Sequence, residues 1–264
     1  MEQKTYGLIG LGLIGGSLAK ALKRSQPDCR ILAYTRSSDT LKAALSQGII
    51  DDTCASPGDS KFQECGYVFL CAPVSTNIRA LEQLKDSASS SCVLTDVGSV
   101  KTEIHEAASR MGLDGRFIGG HPMTGSEKSG LANSQAHLFE NSYYVITPTA
   151  GTDPARVQEY KELVSSLGAL PVVIDYRQHD FITAAVSHLP HVIAASLVNT
   201  VHDLDSKDEY MKLLAAGGFK DITRIASSSP EMWQQICLEN AGNISQIMDT
   251  FIQLLEQSRA AMLQ

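Results

Sequence analysis

The sequence predicts an α/β fold, a Rossmann-type parallel-sheet nucleotide-binding domain over residues 1–176 followed by an all-helical domain over residues 177–264. Three observations carry this prediction. Short β-type runs alternate with helix-compatible stretches up to about Tyr176, a G-x-G-x-x-G run stands between the first strand and the first helix, and β-type runs almost vanish afterwards.

The alternation starts with Tyr6-Gly7-Leu8-Ile9, a helix from about Leu13 to Lys23, and Ile31-Leu32-Ala33-Tyr34, which together read as a βαβ unit. Further apolar runs follow at Tyr67–Cys71, Cys92–Thr95, Tyr143–Ile146 and Val172–Ile174, separated by helical stretches such as Leu41–Gln47. Runs this apolar fit parallel strands buried on both faces and joined by crossovers. Beyond Tyr176, Phe181–Leu204 and Ser229–Leu263 are long helical patterns, and no internal repeat suggests a solenoid.

Composition narrows the function classes. With 43% hydrophobic and 19% charged residues the chain reads as an ordinary globular protein. A formal net charge of −7, with no run of Lys and Arg along a face, argues against nucleic acid and against an anionic membrane surface. The N-terminal residues enter an apolar strand without the features of a signal or transit peptide, so a cytoplasmic protein is expected. Six cysteines are scattered with no C-x-x-C pair and read as reduced, mostly buried thiols.

The fingerprint Gly10-Leu11-Gly12-Leu13-Ile14-Gly15 follows a strand and opens a helix, the context that gives the motif its meaning. Gly10 permits the turn, Gly12 lets the backbone approach a pyrophosphate, and Gly15 lets helix and strand pack closely, so Gly10, Gly12, Leu13, Ile14 and Gly15 are expected to bind a dinucleotide. About 20 residues further on, where an acid would bind the ribose hydroxyls of NAD, stand Thr35, Arg36 and Ser37. An arginine with no carboxylate beside it suits the 2′-phosphate of NADP, with NAD as the alternative if Arg36 is merely solvated. Pro73 ends the Tyr67–Cys71 strand where the nucleotide crevice would lie, so Ala72, Pro73 and Val74 are expected at the cofactor; equally, Pro73 simply terminates the strand.

Three segments are too polar and Gly-rich for a core and read as functional loops: Asp96–Lys101, Gly119–Gly130 and Gly217–Arg224. With the fingerprint and Ser187-His188-Leu189-Pro190-His191, and in the same order along nearly the whole chain, they make the sequence resemble the prephenate and arogenate dehydrogenases. The resemblance implies a Rossmann domain, a helical dimerisation domain and an active site between them. It implies oxidative decarboxylation of prephenate to 4-hydroxyphenylpyruvate in tyrosine biosynthesis, with a hydride passed to a nicotinamide; arogenate, converted directly to tyrosine, is the alternative substrate.

Such chemistry needs an acceptor for the hydroxyl proton, a cation for the ring carboxylate and a dry pocket. His121 is the expected acceptor, since imidazole titrates near working pH and the resemblance gives it that role. By similarity Ser99 lies beside the substrate hydroxyl, although it also suits a helix cap near Val100. Arg224 looks like the family's carboxylate clamp. Ser126 and Glu127 resemble residues near the substrate side chain, Glu127 gating access or meeting an amino group. Lys220 and Asp221 are open to reading as a structural ion pair.

His188 and His191 lie three apart on one helix face that Pro190 should kink, and by resemblance line the substrate cavity; core histidines bonded to carbonyls are the bland alternative. A metal site is set aside, because no third ligand stands at a suitable spacing. Trp233 matches the family pattern and equally suits core packing. The apolar C-terminal helices suggest a homodimer. Rival readings are a β-hydroxyacid dehydrogenase, a pyrroline-carboxylate reductase, or a dinucleotide-sensing protein without turnover.

Overall fold

A computed structural model describes residues 3–125 and 128–264, which divide into two compact units between His179 and Asp180. In the first unit the strands are β1 (Thr5–Ile9), β2 (Arg30–Tyr34), β3 (Asp52–Thr53), β4 (Tyr67–Leu70), β5 (Val93–Asp96), β6 (Phe117–Pro122), β7 (Tyr143–Pro148) and β8 (Leu170–Val173). They form one sheet in the order β3-β2-β1-β4-β5-β6-β7-β8. The helices between them are α1 (Leu13–Ser25), α2 (Ser38–Ser46), α3 (Val74–Ser87), α4 (Thr102–Arg110) and α5 (Pro154–Ser166), and α6 (Tyr176–Thr183) carries the chain into the second unit.

Alternation within each strand builds two cores. Leu8, Ile31 and Phe69 point to the face that also buries Leu18 and Leu22 of α1 and Tyr160 of α5. Ile9, Leu32, Val68 and Leu70 point to the opposite face, with Leu81 and Leu84 of α3 and Ile104 of α4. The strand order reverses between β1 and β4, so their C-terminal ends open a crevice, the place where open α/β sheets receive ligands.

Two sequence expectations change here. Tyr143–Pro148 is a strand as expected but runs antiparallel to β6, pairing His121 with Val145. The Gly119–Gly130 segment, read as a loop, starts as strand β6. Its glycines serve close packing: a Cβ on Gly119 would stand 2.3 Å from Thr147 Oγ1, and one on Gly120 would stand 2.7 Å from the Asp96 carbonyl and 2.9 Å from the hydroxyls of Tyr144 and Tyr160. Glycine in a strand interior reads locally as a turn, and only tertiary contacts reveal the other reason for it.

The second unit is helical. A π-helical turn, Ala184–His188, leads into α7 (Leu189–Leu204). The π turn stands where a proline kink was expected: Pro190 has no N–H to donate, and the widened turn absorbs the missing bond. Then come α8 (Tyr210–Leu214), α9 (Gly217–Thr223), α10 (Pro230–Glu239) and α11 (Ala241–Met262). Gly217–Thr223 is therefore a short helix where a loop was expected. It packs against α7 and is closed by a bond from Thr223 Oγ1 to the Phe219 carbonyl, 2.7 Å, contacts that override the poor helix propensity of Gly217 and Gly218.

Candidate active site

At the crevice, the C-terminal end of β1 turns sharply into α1. Gly10 has φ +101°, and a Cβ on Gly15 would lie 2.1 Å from the Gly10 carbonyl, so the fold itself requires both glycines. Gly12 is different. Its φ of −82° needs no glycine, and a Cβ there would meet nothing within 4 Å. Gly12 caps α1 with no side-chain bond, and the first turn carries no acid, which leaves backbone N–H groups and the positive end of the helix dipole facing open space. This cradle fits a dinucleotide pyrophosphate, and Leu13 and Ile14 form the first turn that would face it.

Beside it, Ala72 and Pro73 are pinned by a residue sequence reasoning missed. The buried amide of Asn77 donates to the carbonyls of Leu70, 3.2 Å, and Ala72, 2.8 Å, and accepts from the Ala72 N–H, 3.1 Å. Pro73 caps α3, and Val74 opens it. Beyond β2, Thr35, Arg36, Ser38, Thr53, Asp59 and Lys61 border a cavity of about 590 Å³. Arg36 is exposed and has no acidic partner among the described residues, while Ser37 caps α2 through the Thr40 N–H. The carboxylates nearby are occupied: Asp59 accepts the N–H groups of Ala55 and Lys61, and Asp52 pairs with Lys61 at 2.9 Å.

Past β5, Asp96 and Lys101 form an ion pair in which neither side chain is exposed. The Asp96 carboxylate also accepts the Gly98 N–H at 2.9 Å and the Gly120 N–H at 3.2 Å. One buried group thus ties the segment bearing Ser99 to the strand bearing His121. Ser99 is half-buried and does not cap a helix, because α4 starts at Thr102 with Lys101 in the capping position. Below Gly120, the hydroxyls of Tyr144, Tyr160 and Thr95 are linked at 3.0 and 2.9 Å. Burial pushes both phenols well above their usual range, so they stay hydroxyls at neutral pH.

His121 is half-buried at the end of β6, its Nδ1 2.8 Å from Nε2 of His179 on α6. Nothing in the sequence marks His179, whose partner is 58 residues away. Ser126 and Glu127, expected near a substrate side chain, lie outside the described residues.

In the second unit, His191 stacks on the Trp233 ring at 3.6 Å and 4°, and His188 meets the same ring edge-on at 6.1 Å, so both histidines share the expected face. His188 is buried, its Nδ1 3.1 Å from the Asn240 amide, which also donates to the Asp180 carbonyl at 2.7 Å. Burial holds His191 below the usual imidazole range, against the pull of the Ile225 carbonyl. His191 Nδ1 and Trp233 Nε1 are buried without a hydrogen-bond partner among the described residues, which makes them candidate ligand contacts. Arg224 follows α9, is exposed, and has no acidic partner among the described residues. Lys220 and Asp221 are likewise exposed and form no ion pair with each other.

Comparison with known proteins matches these two units in turn. The model of the prephenate dehydrogenase nucleotide-binding domain covers residues 18–173, and that of the prephenate dehydrogenase dimerization domain covers residues 175–264. Prephenate dehydrogenase of Bacillus subtilis is 42% identical over 97% of this chain and 69% of its own length. Among solved structures, prephenate dehydrogenase from Aquifex aeolicus in complex with hydroxyphenyl propionate and NAD+ is 33% identical with a TM-score of 0.93, covering 100% of this chain and 92% of that one. Synechocystis arogenate dehydrogenase is 31% identical with a TM-score of 0.86, covering 98% and 91%. With both domain models matched in order and a curated relative 42% identical over 97% of this chain, the chain belongs to the prephenate dehydrogenase family.

Proposed function

We propose that the protein oxidises and decarboxylates prephenate to 4-hydroxyphenylpyruvate. The observation that carries this reading is the joint presence of a phosphate cradle at Gly12, an imidazole presented at the end of β6, and, at Arg224, a guanidinium with no acidic partner among the described residues, all within a chain 42% identical to a prephenate dehydrogenase.

Gly10, Gly12, Leu13, Ile14 and Gly15 would hold the pyrophosphate of a nicotinamide dinucleotide, with Ala72, Pro73 and Val74 along its path. When bound, the nicotinamide supplies a hydride acceptor. His121 takes the hydroxyl proton as the ring carbon gives up its hydride; the ring carboxylate leaves as CO2, its bonding electrons aromatise the ring, and a proton returns to the oxygen. Ser99 donates a hydrogen bond to the substrate oxygen and Arg224 pairs with a substrate carboxylate. His191 Nδ1 and Trp233 Nε1, which have no hydrogen-bond partner among the described residues, are offered to the substrate, with His188 fixing the face on which they stand. Ser126 and Glu127 are proposed near the side chain. Prephenate is favoured over arogenate because the 42% identical relative is a prephenate dehydrogenase, whereas the arogenate dehydrogenase is 31% identical.

For the cofactor we propose NADP+ over NAD+, although the Aquifex relative was solved with NAD+. Arg36 has no acidic partner among the described residues, Asp59 in the same cavity is engaged by the Ala55 and Lys61 N–H groups, and Lys61 adds a second cation to the lining, which supports a 2′-phosphate there. Arg36→Ala is expected to raise the KM for NADP+ about tenfold, the equivalent of about 1.4 kcal/mol, and to leave NAD+ nearly unchanged. Equal effects on both would make Arg36 a solvated bystander. Steady-state rates with prephenate and arogenate, each against NAD+ and NADP+, test substrate and cofactor together; turnover of arogenate alone would change the assignment.

We also propose a cytosolic homodimer. The exposed Leu204, Leu213, Leu214 and Leu238 of the helical unit fit an apolar face covered by a second copy, in line with the dimerization-domain match. Tyr176–Leu204 is long and apolar enough to cross a membrane by length and composition alone, yet its His188 and His191 are built into contacts with Asn240 and Trp233. A single-protomer mass on sedimentation would refute the dimer.

A further inference from the structure

We propose that His179 is a positioning residue that fixes the tautomer of His121, by accepting the His121 Nδ1–H at its own Nε2 and so leaving His121 Nε2 as the proton acceptor. The proposal rests on the reading of His121 as the acceptor. Nitrogens 2.8 Å apart on two imidazoles are held by one shared proton, so one ring donates and the other accepts. If His179 donated, His121 Nδ1 would be its basic nitrogen and would already be occupied, while Nε2 would carry a hydrogen and could accept nothing. If His179 accepts, Nε2 keeps its lone pair. After His121 gains the substrate proton, its cation still has a neutral acceptor at Nδ1, and charge-assisted bonds of this kind are the stronger ones.

The placement of the two rings supports this division of labour. His121 is half-buried, whereas His179 is 1% exposed. The rings meet nearly edge to face, 5.1 Å and 69° apart, so contact between them is made through one nitrogen of each. His179 is also held in place by its backbone. Its N–H donates to the Asp175 carbonyl at 2.8 Å, and the Asp175 carboxylate caps the same helical turn by accepting the N–H groups of Arg177 and Gln178 at 2.8 and 3.2 Å. An orienting group on a rigid element behind a general base is the arrangement that keeps such a base in one tautomer.

Two replacements separate this role from simple packing. In His179→Gln the amide oxygen reaches about as far as Nε2 and can accept; in His179→Phe the ring and its volume persist and the acceptor is gone. The expected result is a kcat within about tenfold of the parent for the Gln protein and a loss on the order of 100-fold for the Phe protein. Both keep the parent KM for prephenate and the parent affinity for reduced cofactor. A packing role predicts the reverse order, so a Phe protein at least as active as the Gln protein would overturn the proposal.

The 15N ring shifts of the histidines in the parent protein give an answer independent of how the variants fold. His121 protonated at Nδ1 supports the proposal, and His121 protonated at Nε2 overturns it. Should His121→Asn keep full activity, the proton-acceptor reading itself falls; should His121→Asn be inactive while His179→Phe matches the parent, only the role of His179 falls.

Discussion

Lys101→Met is expected to melt on the order of 10 °C below the parent. Lys101 and Asp96 are both fully buried, and removing the cation leaves a carboxylate in the interior without it. Breaking a buried pair from one side costs about 3–5 kcal/mol, and each kcal/mol shifts the melting point of a unit this size by roughly 2–4 °C. Asp96→Asn in the Lys101→Met background removes the stranded charge and recovers part of the loss, though not all. The Asp96 carboxylate also accepts the Gly98 and Gly120 N–H groups, and one amide oxygen cannot replace both carboxylate oxygens. The coupling between the two substitutions is therefore large and non-additive. Activity falls with stability, because the same carboxylate ties the Ser99 segment to the His121 strand. Calorimetry checks this: a Lys101→Met protein melting within 2 °C of the parent would mean the pair contributes nothing to the fold.

His121→Asn is expected to lower kcat by 10²- to 10⁴-fold, the span that general-base catalysis typically contributes. The KM for prephenate is expected to stay within a few-fold, because the proposed carboxylate contact at Arg224 is untouched and the lost interaction belongs to the transition state. Affinity for reduced cofactor, measured by its fluorescence, should also hold, since the Gly12 cradle lies on β1 and α1 rather than β6. A variant that fails to bind cofactor would point to collapse of the β6 strand instead of loss of a base. Arg224→Ala supplies the contrast, with KM rising and kcat falling less.

The fold was legible in the sequence wherever one pattern had one cause. The strand, fingerprint and helix at Tyr6–Lys23 could be read directly, because a strand of buried apolar residues, a turn needing positive φ and a close helix approach each leave a residue signature. The loss of β-type runs after Tyr176 likewise marked the helical unit. Legibility ended where glycine has two possible causes. Gly119 and Gly120 looked like a loop, yet they are strand residues that admit His105, Thr147, Tyr144 and Tyr160. Gly217 and Gly218 looked like a loop, yet packing on α7 makes them helical.

The polar residues that hold the candidate site together were invisible for a different reason. His179 acts on His121 from 58 residues away and Asp96 reaches Gly120 from 24 away, distances no local spacing announces, while the bonds of Asn77 to Ala72 and of Lys101 to Asp96 span only five residues but depend on side-chain burial that the sequence does not display. His121, Ser99 and Arg224 were legible only because their surrounding segments are polar and resemble a known family. The antiparallel run of β7 had no local signal at all, since a buried strand reads the same in either direction.

The central claim is oxidation coupled to decarboxylation, and the most direct test counts both products in one vessel. Purified protein given prephenate and NADP+ or NAD+ should release one CO2 for each nicotinamide reduced, with 4-hydroxyphenylpyruvate as the organic product. Reduced nicotinamide without CO2 would contradict the account and leave a simple hydroxyacid dehydrogenase; cofactor binding with neither product would leave a protein that senses a dinucleotide and does not turn it over.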